Sequence, residues 1–211
     1  GIFDQVTREA SQKPIGAEAG LRGGQCLIDE AKKKLADAEK AKAMAKVEQV
    51  KAADEAVVRA KAELVEAAKL VERRGDDFKP QQPQSDARAR MYYDAAWAYR
   101  AAGGNPAPAY TKLIADFPNA ALAVEARLEL GELLADANKL DDALKQFKDA
   151  LDAEPTDRPT PADTTDRIRV RYGAALFAKK DVPAALAQFD AVAGNEKSAQ
   201  RGVALYRAAE C

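Results

Sequence analysis

The chain has 211 residues, with 33 basic and 34 acidic side chains and an apolar content of 47%, to which aromatic residues contribute only 6%. It contains no histidine and only two cysteines, without a CxxC pair. That excludes the commonest general base, most zinc sites and a disulfide framework. A net charge of −1 argues against nucleic acid as a partner and against general attraction to an anionic membrane.

The N-terminal part of the chain contains two apolar patterns at helical spacing. The first predicts a short helix that ends before a proline. The second, residues 18–26 (EAGLRGGQC), aligns with residues 125–133 (EARLELGEL), so that Gly24 takes the position of Gly131. We interpret residues 1–26 as a partial copy of a helical unit that recurs later in the chain.

A long helical segment follows. Residues 27–74 lack Gly, Pro and Asn and consist largely of Ala, Lys, Glu, Val and Leu, which predicts helix throughout. The apolar spacing slips by one residue near Val50, and two structures fit this slip: a helical hairpin, which we favour, or one continuous helix. We expect residues 27–78 to form this elongated element and residues 79–86 to form the linker after it.

From residue 87 onward the sequence repeats a pair of amphipathic helices. Residues 125–155 show the pair most clearly, because small residues fall where two backbones would approach and larger ones lie between them: Gly131, Ala143 and Ala150, with Leu130, Leu134, Leu140 and Phe147. Counterparts recur at spacings of 70, 37, 42 and 36 residues, at Gly24, Asp94, Gly131, Gly173 and Ala209. A recurrence near this length is typical of a helical solenoid, and we interpret residues 87–211 as such repeats, the last one incomplete.

The spacing of these residues resembles the tetratricopeptide repeat. Its signature is matched by Leu130, Gly131, Leu134, Ala143, Phe147, Ala150 and Pro155, and again by Tyr172, Gly173, Leu176, Ala185 and Phe189. Residues 107–130 are similar to a longer variant with an aromatic-Pro-Asn turn, common in bacterial envelope proteins such as the Tol-Pal coordinator and outer-membrane-assembly lipoproteins. Asp94 and Pro106 depart from the pattern, since small residues are usual there, and Lys180 replaces the usual turn glycine.

The resemblance implies an all-α fold, namely a right-handed superhelical solenoid of antiparallel helix pairs with the elongated hairpin or helix inserted. It also implies that the first helices of the pairs line a groove, and that the protein is located in the periplasm or envelope of a bacterium. Because the last unit ends within its first helix, we expect the chain to be a fragment of a longer protein.

Mapping the repeat positions onto the chain gives a groove with an aromatic end, an acidic centre and a basic end. The candidate lining residues are Arg88, Met91, Tyr92, Tyr99, Glu125, Glu129, Glu132, Asp136, Arg167, Arg171 and Phe177. Such a groove would bind a protein or peptide segment, and its acidic centre would favour a basic or amphipathic one. The alternative is that Tyr92 and Tyr99 pack against the neighbouring unit and that the glutamates form a solvated helix face.

The expected function is therefore that of a non-enzymatic scaffold for protein–protein interaction. A structural segment that forms homo-oligomers through residues 27–74 is the alternative. We expect no enzyme, no catalytic residue, no metal and no cofactor, because the sequence lacks histidine, a nucleophile motif, a Gly-rich phosphate loop and clustered metal ligands. No apolar run approaches the roughly 20 residues that span a bilayer, so we expect no direct membrane insertion.

Overall fold

The structure, a computed structural model, describes residues 1–211 and is entirely helical, with no strand. This confirms the predicted all-α class. The helices are α1 (Ile2–Glu9), α2 (Pro14–Ala43), α3 (Val50–Asp77), α4 (Asp86–Ala101), α5 (Ala107–Asp116), α6 (Ala121–Asp136), α7 (Leu140–Leu151), α8 (Ala162–Ala178), α9 (Val182–Ala193) and α10 (Arg201–Glu210). None of them is both long enough and apolar enough to cross a bilayer.

The chain divides into two units, Gly1–Asp116 (unit 1) and Phe117–Cys211 (unit 2). The sequence had grouped residues 87–211 as one set of repeats. The structure instead places α4 and α5 in unit 1, since α4 packs against both α3 and α2, and α5 packs against α4. Each unit is described below by itself.

In unit 1, residues 27–74 form two helices that pack against each other as an antiparallel hairpin. Helices α2 and α3 are separated by residues 44–49, where the apolar spacing slips, and Val47–Gln49 form a short 3-10 helix there. Helix α2 runs through residue 26 without a break, so the predicted N-terminal unit and the elongated element share one helix. The apolar residues of the two helices share one core cluster that also includes Met91 of α4.

In unit 2, two helix pairs have the same internal contact. A Cβ added to Gly131 of α6 would lie 2.5 Å from Cε1 of Phe147 in α7. A Cβ added to Gly173 of α8 would lie 2.7 Å from Cε1 of Phe189 in α9. Glycine at both positions therefore lets an aromatic ring lie directly on the backbone of the facing helix, which confirms the predicted close approach at Gly131.

Three first helices end in the same way, at a residue with a positive φ. Gly103, Asn138 and Lys180 have φ angles of 77°, 57° and 65°. In each case the next residue donates a backbone hydrogen bond across the last turn: Gly104 to Tyr99 at 2.8 Å, Lys139 to Leu134 at 2.8 Å, and Asp181 to Leu176 at 3.0 Å. This is the Schellman cap, and it aligns the ends of α4, α6 and α8 residue by residue.

The shared cap corrects the repeat alignment of α4. Gly131 and Gly173 lie seven residues before their capped residues, and the same count from Gly103 leads to Ala96. The sequence alignment had assigned Asp94 to this position and is therefore wrong by two residues in α4. With the corrected alignment this position holds a small residue in each of the three helices: Ala96 in α4, Gly131 in α6 and Gly173 in α8.

Lys180 is a place where one substitution should stabilise the protein. In the left-handed conformation, a residue other than glycine or asparagine destabilises the fold by about 1–2 kcal/mol, because its Cβ crowds the following carbonyl group. We expect Lys180→Gly to raise the free energy of unfolding by about 1 kcal/mol, measured by urea denaturation followed by circular dichroism. Asn138→Gly should change it by only a few tenths of a kcal/mol, since asparagine tolerates this conformation. Equal gains from both variants would contradict this explanation.

Candidate functional site

Three of the residues predicted to line a groove are buried in unit 1. Arg88, Met91 and Tyr92 have no exposed surface, so a partner cannot reach them. Their assignment to a binding face is corrected accordingly. The two-residue error in the alignment of α4 explains it, because positions two residues apart on a helix face different directions.

Arg88 is the centre of a polar cluster inside unit 1. Its Nε donates to the carbonyl oxygen of Gly75 at 2.8 Å, and its Nη1 donates to the carbonyl oxygen of Pro83. Its Nη2 lies 3.0 Å from the Tyr92 hydroxyl and 2.6 Å from Oδ2 of Asp116. The guanidinium group thereby joins α3, α4, α5 and the linker before α4, which is a structural role rather than a binding one.

The two tyrosines of the predicted aromatic end also point toward α3. The Tyr92 hydroxyl donates to Asp76 at 2.8 Å, and the Tyr99 hydroxyl donates to Glu72 at 2.9 Å. Burial, together with the hydrogen bond to Asp76, raises the pKa of Tyr92 to about 12. Burial and the hydrogen bond to Glu72 likewise raise the pKa of Tyr99. Both side chains therefore pack against the neighbouring helix, as the alternative interpretation had it.

The corrected alignment identifies a different set of outward-facing residues on α4. Arg90, Asp94 and Trp97 now take the positions that Glu125, Glu129 and Glu132 hold on α6. All three lie beside α2, where they line a cavity of about 320 Å³. The complete lining is Gln25, Ile28, Asp29 and Lys32 of α2 with Arg90, Tyr93, Asp94 and Trp97 of α4. We refer to this lining as the α2/α4 face.

Hydrogen bonds hold Gln25, Arg90 and Asp94 in place at one end of the α2/α4 face. The carboxylate of Asp94 accepts a hydrogen bond from Nε2 of Gln25 at 2.9 Å and another from Nε of Arg90 at 2.8 Å. The bond from Gln25 joins α2 to α4 directly, and the Arg90 guanidinium also lies 5.7 Å from the ring of Tyr93. These contacts connect α2 to α4 at one end of the cavity.

Trp97 and Lys32 form the other end of this face. The indole of Trp97 is 40% exposed, and Nζ of Lys32 lies 4.1 Å from the centre of its ring. The same ammonium group is 3.8 Å from Oδ1 of Asp29, a long and weak ion pair. A lysine held by these two contacts is easily displaced, so the indole is accessible to an incoming side chain.

In unit 2 the predicted acidic and basic residues meet each other. Nη2 of Arg167 lies 3.0 Å from Oε1 of both Glu129 and Glu132, and Nε of Arg171 lies 2.8 Å from Oε1 of Glu132. Partial burial by itself would lower the pKa of Arg167, but Glu132 and Glu129 outweigh it and raise the pKa. The acidic centre and the basic end are thus one ion-pair network between α6 and α8.

The remaining predicted residues lie at the surface of unit 2. Oε1 of Glu125 lies 3.1 Å from Nη2 of Arg158, which comes from the polar segment between α7 and α8. Asp136 is exposed at the C-terminal end of α6, and Phe177 is partly exposed near the end of α8. Asp136 and Phe177 are therefore accessible to solvent, and Glu125 is partly so.

The sequence interpretation missed Lys32, Asp94 and Trp97 as a group. One signal was present, since the Gly103-Gly104 pair marks the end of α4 and counting back from it gives the correct alignment. Chemically, the α2/α4 face offers an indole, two cations and two carboxylates. No group of three His, Cys, Asp or Glu side chains is arranged to hold a metal ion. The side-chain groups of this face are ones that hold a ligand by apolar contact, hydrogen bonds and ion pairs.

Comparisons with protein-family models, with curated proteins and with solved structures find no match to this chain.

Proposed function

We propose that this chain is a non-enzymatic protein-interaction module built from tetratricopeptide-type helix pairs, and that unit 1 binds a protein segment on the α2/α4 face. The observation that carries the proposal is the accessible indole of Trp97 inside a cavity with a charged rim. Tryptophan dominates binding energy at many protein interfaces, especially where surrounding polar groups exclude water from its ring.

The type of repeat is supported by two independent features of the helix pairs. Gly131 with Phe147 and Gly173 with Phe189 repeat one contact in successive pairs. The Schellman caps repeat one helix end three times, including the end of α4. Together they support a repeated structural unit at the level of backbone contacts, which sequence spacing alone had indicated.

The charges of the α2/α4 face favour an amphipathic segment over a purely basic one. Lys32 and Arg90 contribute two cations, and Asp29 and Asp94 contribute two carboxylates, so the face has no net charge. Both oxygens of Asp94 already accept hydrogen bonds. An apolar side chain on the indole, flanked by polar groups of either sign, is the ligand chemistry that this arrangement accommodates.

Self-association through residues 27–74 has less support. The apolar residues that would form the seam of a coiled coil, among them Ile28, Leu35, Val57 and Leu64, are buried within unit 1. Of the larger apolar side chains that stay exposed in this range, Met44, Val47 and Val50 lie at the turn between α2 and α3, and only Leu27, Val58 and Leu70 lie along the helices. An interface between hairpins would therefore have little apolar surface to bury.

The chain contains a single tryptophan, so its fluorescence reports on the proposed site directly. Peptides selected from a displayed library of random sequences against the intact chain should shift the emission of Trp97 to shorter wavelength on binding. Trp97→Ala should weaken their binding by about 30-fold, the usual loss at an interface hot spot, as measured by isothermal titration calorimetry. Leu70→Ala, a comparable truncation of a side chain that is 36% exposed on α3, should leave the affinity unchanged.

Two results would refute the proposal. One is a library that yields no binding peptide. The other is a set of peptides that bind Trp97→Ala as tightly as the unmodified chain, which would move the binding surface away from α2 and α4.

A further inference from the structure

The turn of the α2/α3 hairpin carries large apolar side chains that face solvent. Met44 is 72% exposed, Val47 is 91% exposed and Val50 is 41% exposed. The first two belong to the connection between the helices, and the third is the first residue of α3. Large apolar side chains that are this exposed and this close together in the chain mark a contact surface. We call residues 44–50 the hairpin tip.

The hairpin tip lies well beyond the core of unit 1. The last buried residue of α2 is Leu35, and the first buried residue of α3 is Val57. No residue between these two is buried. Residues 36–43 continue α2 for about 12 Å past Leu35, since each helical residue adds about 1.5 Å. The tip can therefore contact a partner that does not touch the core.

Basic residues surround the hairpin tip. The stretch from residue 40 to residue 51 contains four lysines and one acidic residue, Glu48, so its formal charge is +3 within a chain of net charge −1. The four are Lys40, Lys42, Lys46 and Lys51, and all are exposed. Lys42 lies 2.8 Å from Asp54, which partly neutralises it. The positive charge of the chain is thus concentrated around the exposed apolar side chains.

We propose that the hairpin tip binds the surface of an anionic lipid bilayer. Its apolar side chains enter the boundary between headgroups and acyl chains, and its lysines bind the lipid phosphates. The long aliphatic stems of the lysines allow the ammonium groups to remain at the level of the headgroups while the apolar side chains lie deeper. The contact is shallow, and it does not require a helix that crosses the bilayer.

Shape and charge favour a lipid surface over a protein segment as the occupant. A turn at the end of a projecting hairpin is convex, whereas a site that encloses a peptide or small ligand is concave. Interfacial segments enter a bilayer to a depth of about 5–10 Å, which a projection of about 12 Å reaches while the core of unit 1 stays in water. The attraction to anionic headgroups is local, because salt screens charges farther away than about 8–10 Å.

Co-sedimentation with lipid vesicles tests the proposal. The intact chain should bind vesicles of phosphatidylglycerol and phosphatidylcholine in equal parts at least about 10-fold more tightly than vesicles of phosphatidylcholine alone. Val47→Asp should weaken binding to the anionic vesicles by at least about 10-fold, since it removes apolar burial. Lys46→Gln with Lys51→Gln should weaken it by about 25-fold, or about 5-fold for each lysine. Val58→Asp is the matched control, because Val58 is 67% exposed on α3 but lies outside the tip, and it should bind normally.

A fluorescent label measures whether the hairpin tip enters the lipid. Both native cysteines, Cys26 and Cys211, are exposed and are first replaced by serine. In this background a dye sensitive to polarity, attached to Val47→Cys, should shift its emission to shorter wavelength when anionic vesicles are added. The same dye on Val58→Cys should not shift.

Three results would overturn the proposal. One is an intact chain that does not bind anionic vesicles. Another is undiminished binding by Val47→Asp, or an unshifted dye at residue 47, because lysines acting by charge alone would then explain the binding. The third is an equal shift of that dye with soluble polyglutamate in place of vesicles, which would assign the tip to an acidic protein.

Discussion

Replacing Arg88 with methionine should lower the free energy of unfolding of unit 1 by about 3–5 kcal/mol, the largest effect that we expect from any single substitution. The side chain is fully buried, and its hydrogen bonds reach Gly75, Pro83, Tyr92 and Asp116. Methionine replaces the aliphatic part of the side chain but has no hydrogen-bond donor. It would leave buried carbonyl oxygens and a partly buried carboxylate without their partner.

Urea denaturation followed by the fluorescence of Trp97 measures this effect, because the single tryptophan belongs to unit 1. Arg90→Met on the same helix is the control, since the Arg90 side chain is exposed and its ion pair with Asp94 lies at the surface cavity. Arg90→Met should lower the free energy of unfolding by less than about 1 kcal/mol. Equal losses in the two variants would show that the buried cluster contributes no more than an ordinary surface ion pair.

The dependence of stability on pH at the acid end provides a second test of the contact between Arg88 and Asp116. Partial burial would raise the pKa of Asp116, but hydrogen bonds from Lys79 and Arg88 outweigh it and hold the pKa below the ordinary value of 3.8. A carboxylate with a depressed pKa in the folded state stabilises the fold above the pKa of the unfolded chain. This stabilisation is lost as pH falls through the folded value. The decrease in the free energy of unfolding below about pH 4 should therefore be smaller in Arg88→Met than in the unmodified chain.

The second large effect is expected at Gly131. Gly131→Ala would place a methyl group 2.5 Å from the ring of Phe147, a buried residue that cannot move aside without disturbing the core of unit 2. Overpacking of this kind costs about 1–3 kcal/mol, which outweighs the gain of about 0.5–1 kcal/mol that alanine normally brings to a helix. Gly202→Ala is the control, because its added methyl group meets open space. It should show only the gain in stability of about 0.5–1 kcal/mol that alanine brings to a helix.

Phe147→Leu should partly rescue Gly131→Ala. Unit 1 already combines alanine with leucine, because Ala96 takes the Gly131 position and Ala109 and Leu113 repeat the spacing of Ala143 and Phe147. In a double-mutant cycle the two substitutions together should cost at least 1 kcal/mol less than the sum of the single losses. Circular dichroism in urea provides the measurement. Strictly additive losses would mean that the methyl group and the ring do not meet.

The local pattern of the sequence was sufficient for the class of fold and for one interhelical contact. Alanine-rich segments without Gly, Pro or Asn predicted helices, and the spacing of Gly131 to Phe147 predicted a close approach that the structure contains. Both depend on residues near each other in the chain. Helix propensity is a local property, and a short connection makes α6 and α7 neighbours.

The candidate site could not be predicted in the same way. The sequence alignment placed Asp94 at the position of Gly131, and that error of two residues exchanged buried side chains such as Arg88 for exposed ones such as Trp97. The Gly103-Gly104 pair marks the end of α4 in the sequence, but only the positive φ of Gly103 shows that this end is capped in the same way as those of α6 and α8.

The sequence by itself thus determined that the chain is helical, where most of its helices lie, and that the helix facing Gly131 approaches it closely. Only the tertiary structure decided which side of α4 is buried, that Glu132 pairs with Arg167, and that Lys32 lies on Trp97. The reason is physical. Periodicity fixes the direction of a side chain relative to its own helix, whereas burial and ion pairing depend on helices brought together from more than 30 residues away.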